Sequence, residues 1–119
     1  MDAEGTARKT WIEVALNGPW GPKRQPRAPH TNASIIAEAL ACAQAGVSII
    51  HVHVYDETTG RQRDDWEGYA PVIAGIREKA DVIVYPTIPF GEAATAPKGA
   101  ERFRHLEELG KRGLLEMAA

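Results

Sequence analysis

Four short apolar runs, at residues 11–16, 48–55, 82–87 and 114–119, the first three rich in β-branched residues, are separated by longer stretches whose apolar residues recur at helical spacing. That alternation constrains the fold more than any other property of the chain. Strands that alternate with helices pair in parallel through right-handed crossovers, and helices then cover the sheet. Between the first two runs, Thr31 can cap a helix that aligns Ile35, Ile36, Ala39, Leu40 and Ala43, with Gly46 as its stop. Between the second and third, Asp64 or Asp65 can cap a helix carrying Trp66, Tyr69, Val72, Ile73 and Ile76 on one face. After a loop at residues 89–92, the spacing predicts a third helix with Phe103, Leu106 and Leu109 together.

A doubly wound sheet and a (β/α)8 barrel both satisfy this order. The turn after the first run, Asn17-Gly18-Pro19-Trp20-Gly21-Pro22, lacks the G-x-G-x-x-G spacing of a dinucleotide fold and puts two prolines where a helix should open. The chain contains no P-loop. The reading is therefore α/β, the N-terminal portion of a (β/α)8 TIM barrel. A complete barrel needs about 250 residues, so the pattern covers about three and a half βα units, and the chain has 119 residues. Residues 1–10 are expected to form a polar extension, and residues 11–119 an incomplete barrel truncated in or near its fourth strand. The apolar run at the end favours a fragment of a longer enzyme over a half-barrel that serves as a binding or assembly module.

Composition excludes several classes. The chain is 44% hydrophobic with a net charge of −2, which gives no electrostatic case for nucleic acid or anionic lipid. Its apolar runs fall short of the roughly 18 residues that cross a bilayer. A polar N-terminus and a single cysteine, Cys42, on an apolar helix face point to a cytoplasmic protein without disulfides.

Chemistry concentrates at His51-Val52-His53. Side chains two apart on a strand share a face, roughly 6.5 Å apart along the backbone, so both imidazoles can converge on one divalent ion. A pair of hydrogen-bonded core histidines is the alternative. Placement near the C-terminal end of a strand, where barrel active sites are built, favours the metal. Asp56 follows as a further ligand, an imidazole partner or a loop cap. Asn17 and Thr87 stand at strand ends on the same side and are suited to orienting a substrate, although turn chemistry also accounts for Asn17. The basic loop, residues 23–27, can meet an anionic ligand or simply be solvated. Cys42 and Ser48 have no base at recognisable spacing, which argues against nucleophilic catalysis.

Several of these segments together resemble the β-keto acid cleavage enzymes. They are Ala15-Leu16-Asn17-Gly18, the loop at residues 23–29 with Thr31 capping, Ala45-Gly46-Val47-Ser48-Ile49-Ile50-His51-Val52-His53, Asp56 with Gly60-Arg61, and Gly75-Ile76-Arg77. The resemblance implies a zinc-dependent (β/α)8 barrel, usually a homo-oligomer, that exchanges acyl groups between a β-keto acid and acetyl-CoA to give acetoacetate and an acyl-CoA. It assigns Zn2+, or another divalent metal, to His51 and His53. It places Thr87 at the substrate carboxylate and Asn17 at the pocket floor, where the family often has threonine. Trp20 falls where the aminohexanoate-cleaving member has a glutamate for the substrate ammonium, which implies an apolar or uncharged substrate side chain here. The third metal ligand and the proton-transfer residues of the family would lie beyond Ala119. On this reading the isolated segment holds metal weakly and is inactive alone. A metal-dependent hydrolase on the same barrel type is the competing enzyme class.

Overall fold

A computed structural model describes residues 8–89 and 98–119. Strands β1 (Glu13–Ala15), β2 (Ile49–Val52) and β5 (Ile83–Pro86) form a parallel sheet in the order β1-β2-β5. The register aligns Glu13 with Ile49 and Ile83, and Ala15 with His51 and Tyr85. Helix α1 (Asn32–Gln44) connects β1 to β2, and α2 (Trp66–Arg77) precedes β5. A 3₁₀ turn at Gly99–Phe103 leads into α3 (Arg104–Lys111). The mixed α/β class and parallel pairing therefore agree with the periodicity.

Alternation along the strands sorts residues into two faces. Ile50, Val52 and Val84 join Ile35, Ala39, Val72, Ile73, Ile76 and Leu109 from the helices in one buried cluster. Fully burying each of its Val, Ile and Leu side chains contributes roughly 1.5–3 kcal/mol, so this face drives assembly. Glu13, Ile49, His51, Ile83 and Tyr85 occupy the opposite face, which is therefore not uniformly apolar as parallel strands usually are.

Local signals act as expected at α1. Thr31 Oγ1 accepts from the Ser34 amide at 3.1 Å, and the Thr31 amide donates to Ser34 Oγ at 3.0 Å, closing a capping box. Gly46 ends the helix at φ +110°, a conformation that favours glycine. At α2 the expectation is only half met. Asp65 holds the N-cap position, but its carboxylate does not cap; it pairs with Arg63 at 2.9 and 2.5 Å.

Three expectations need correction. The histidine run is not one strand to residue 55. Pairing in the parallel sheet stops at Val52, and β3 (Val54–Tyr55) turns back antiparallel on β4 (Gln62–Arg63). The loop between them is a hairpin turn: Asp56 Oδ1 accepts from the amides of Thr58 and Thr59 at 2.8 and 2.9 Å. These bonds hold the Asp56 carboxyl below its ordinary pKa, so this residue caps a loop and holds no imidazole. Residues 114–119 form no strand; Leu114 and Leu115 pack on the core, and the Ile88 amide donates to the Ala119 carbonyl at 3.1 Å. On α3 the buried residues are His105 and Leu109, whereas Phe103 is exposed. Helix α3 starts only at Arg104, so Phe103 lies before the face that meets α2. Residues 1–7 of the expected extension and 90–92 of the expected loop lie outside the described residues.

The long loop after β1 packs on the tip of this hairpin. A Cβ on Gly21 would stand 2.6 Å from the Gly60 carbonyl oxygen, so the backbone of the loop or of the hairpin would have to shift. Gly21→Ala is expected to cost about 1–3 kcal/mol in urea unfolding, the usual range for overpacking. A loss below about 0.5 kcal/mol would show that loop and hairpin part easily.

Candidate metal centre

His51 and His53 lie at the C-terminal end of the middle strand, and their side chains converge. His51 Nε2 and His53 Nε2 are 3.2 Å apart, with the rings nearly perpendicular at 86°. Two nitrogens each about 2.0–2.1 Å from one tetrahedral zinc stand about 3.3 Å apart, so the spacing fits a shared cation. Among the described residues, no group of three or more His, Cys, Asp or Glu side chains could hold a metal. The pair offers two nitrogen donors.

The proton positions follow from the neighbours. Asp64 Oδ1 can only accept, and Gln62 Nε2 donates to it at 2.6 Å. That fixes the Gln62 amide with Oε1 toward His53 Nδ1, 2.7 Å away. An amide oxygen needs a donor, so Nδ1 of a neutral His53 carries the hydrogen and Nε2 presents a bare lone pair toward His51. Outer partners that fix a tautomer in this way are the usual support of metal-binding histidines. His51 is held differently: its ring packs on Tyr85, with centroids 4.5 Å apart.

Asn17 explains why the ladder stops at Val52. Its Oδ1 accepts from the His53 amide at 2.8 Å, while Nδ2 donates to the carbonyls of His53 and Pro29, each at 3.0 Å. The side chain thus imitates a neighbouring strand for one residue and ties the long loop to the end of β2. Tyr55 holds the same loop: its hydroxyl donates to the Gly18 carbonyl and its ring meets His30 at 4.9 Å. Both amide hydrogens of Asn17 are engaged by backbone, so its visible role is to place His53.

Thr87 follows β5 by one residue, at the same C-terminal edge of the sheet as Asn17 and His53. Its carbonyl accepts from His105 Nε2 at 2.8 Å, which fastens α3 to the end of β5. Trp20 lies farther out, about half exposed, with its ring against Gly18. The structure therefore brings Asn17 onto the His53 backbone, leaves Thr87 at the same edge of the sheet, and sets Trp20 in the exposed part of the loop.

Gln62, Tyr85, Glu13 and His105 were not singled out by sequence reasoning, and Asp64 was read only as a possible helix cap. Tyr85 alone had a usable signal, since register on a parallel sheet sets it beside His51. The Gln62–Asp64 relay depends on a hairpin that alternation does not announce.

Burial lowers the pKa of His51, and the His53 cation lowers it further against an opposing pull from Glu13. Burial also lowers that of His53, against the Gln62 bond and Asp64. The unfolded chain therefore takes up protons at these sites at higher pH than the folded one. Stability contributed here is flat above the ordinary value of 6.5 and declines as pH falls below it toward the lowered values. Chemical unfolding of wild type and the double variant His51→Ala/His53→Ala at several pH values is expected to show a steeper acid loss in wild type. Equal slopes would place the acid sensitivity elsewhere.

No helix among the described residues is long and apolar enough to cross a membrane. A segment of 66 residues is 39% identical to the 3-keto-5-aminohexanoate cleavage enzyme of Fusobacterium nucleatum subsp. nucleatum; it covers 55% of this chain and 24% of that relative. The family pattern of the beta-keto acid cleavage enzymes matches residues 9–119, nearly the whole chain. With strands, helices and histidine pair all inside the matched region, the chain belongs to the beta-keto acid cleavage enzyme family.

Proposed function

We propose that this segment forms the first βα units of a (β/α)8 barrel and supplies two metal ligands to an enzyme acting on β-keto acids. The observation that carries the reading is the pair of converging imidazole nitrogens, 3.2 Å apart, with the His53 tautomer set by Gln62 and Asp64. Family membership over residues 9–119 supports the substrate class. The open sheet face with Glu13, Ile49 and His51 fits the inside of a barrel whose remaining strands come from further chain.

The reaction is an acyl exchange: a β-keto acid and acetyl-CoA give acetoacetate and the acyl-CoA of the keto acid's other end. His51 and His53 would hold Zn2+ or another divalent cation. When bound, such a cation supplies Lewis acidity that lowers the cost of negative charge on a keto acid's oxygens. His53 keeps its Nδ1 proton on Gln62, so it serves as a ligand and not as a proton carrier. Thr87 offers a hydroxyl at the same edge of the sheet as His53 for a substrate carboxylate. Asn17 fixes the backbone beneath them. Trp20 presents an indole in the exposed part of the loop, which suits an uncharged substrate side chain and not an ammonium group.

The test uses the whole protein that carries this segment. Supplied with Zn2+, acetyl-CoA and a panel of β-keto acids, it is expected to release acetoacetate and a new acyl-CoA, detected by mass spectrometry. Failure across the panel, with metal bound, would reject the assignment. Turnover of substrate by water without CoA would favour a hydrolase.

A further inference from the structure

His51 has a second restraint that crosses the whole sheet. The register sets Ala15, His51 and Tyr85 at one level on β1, β2 and β5, and Glu13 one level toward the N-terminal ends. Ala15 contributes only a methyl group there, which leaves space over the middle strand. Tyr85 fills it. Its ring lies on the His51 ring at 4.5 Å with a 39° tilt, and its hydroxyl donates to Glu13 Oε1 on the far strand. Although its sheet face is open, Tyr85 is only 7% exposed. The tyrosine is thus anchored at both ends, by its backbone in β5 and by its hydroxyl on β1, with the imidazole of β2 held against its ring.

The two histidines are therefore held by unlike means. A hydrogen bond to Gln62 fixes His53 in the ring plane. His51 Nε2 donates to the His53 Nε2 lone pair at 3.2 Å, and the rest of its orientation comes from stacking, which constrains ring rotation only while the tyrosine itself is fixed. Stacking of one aromatic ring on another is a weak restraint, too weak to hold a ring unless the partner is pinned. Glu13 does the pinning.

We propose that Tyr85 and Glu13 are positioning residues for His51: a strut across three strands that keeps Nε2 turned toward His53 and covers the N-terminal side of the pair. A divalent cation then reaches the two nitrogens from the C-terminal ends of the strands. This rests on the reading of the pair as a metal half-site, and its test separates the two.

Zn2+ affinity and histidine-ring NMR signals would be measured on the whole protein that carries this segment and on its variants Tyr85→Phe, Glu13→Ala and Glu13→Gln. Tyr85→Phe keeps the ring and loses the anchor. It is expected to weaken Zn2+ binding about tenfold, the lower end for loss of an outer partner, and to broaden or split the His51 ring signals while those of His53 stay put. Glu13→Ala is expected to do the same, and Glu13→Gln, which still accepts the phenol hydrogen, to restore most of the affinity. Tyr85→Phe within twofold of wild type and with unchanged His51 signals would overturn the strut. If wild type takes up no Zn2+, the metal reading fails, while the ring signals, which need no metal, still decide whether the strut holds His51.

Discussion

His51→Ala and His53→Ala are each expected to lower Zn2+ affinity by at least about 100-fold, beyond the 10–100-fold typical of outer partners. Each change removes one of two nitrogen donors, and among the described residues no third donor completes a set that could compensate. The loss is expected without a matching loss of fold. His51 is partly buried, and His53→Ala leaves the Gln62 carbonyl and His51 Nε2 without their partner, worth about 1 kcal/mol each if water cannot reach them. Titration calorimetry with Zn2+ and thermal unfolding on the same samples separate these effects. In the whole protein the same substitutions are expected to abolish acetoacetate release. Retention of wild-type affinity within twofold by either variant would remove the case for a metal here.

The second large effect concerns Asn17. Asn17→Asp keeps the shape but replaces two donated hydrogens with a carboxylate facing the carbonyls of His53 and Pro29. Two acceptors lose partners, and like partial charges meet. At about 1–3 kcal/mol for each stranded group, a loss of about 3 kcal/mol follows. For a domain of this size that corresponds to a fall in Tm on the order of 10 °C. Asn17→Ala would lose all three bonds yet admit water, so it is expected to cost somewhat less. A milder effect of the carboxylate than of the methyl would mean that the loop reorganises. Both variants should also weaken Zn2+ binding, since His53 then lacks its backbone clamp.

Much of this was legible in the sequence because it depends on periodicity. Runs of β-branched residues spaced by helical patterns were enough for β1, β2 and β5 and for the two helices beside them. Thr31 and Gly46 carried the boundaries of α1 through local chemistry that needs no tertiary context. The two-residue alternation of a strand was enough to put His51 and His53 on one face, and their nitrogens do converge. What escaped depends on bonds between distant residues. Asn17 ends the ladder at His53 from 36 residues away, and nothing near His53 announces it. Asp65 reads as a helix cap until Arg63 claims its carboxylate. Helical spacing does not mark His105, whose buried ring finds its partner in the carbonyl of Thr87.

The hairpin that carries Gln62 bears on the order in which this molecule comes together. His51 meets His53 two positions away, His53 meets Gln62 at nine, and Gln62 meets Asp64 at two. These loops close early and cheaply, because closure entropy grows with the length enclosed. The bond from Tyr85 to Glu13 encloses 72 positions and must wait until three strands are aligned. A metal ion present during synthesis would therefore meet a nitrogen pair with one ring already set and the other still free to turn. Early capture followed by tightening would make the cation a participant in folding, so that refolding with Zn2+ should outpace refolding without it.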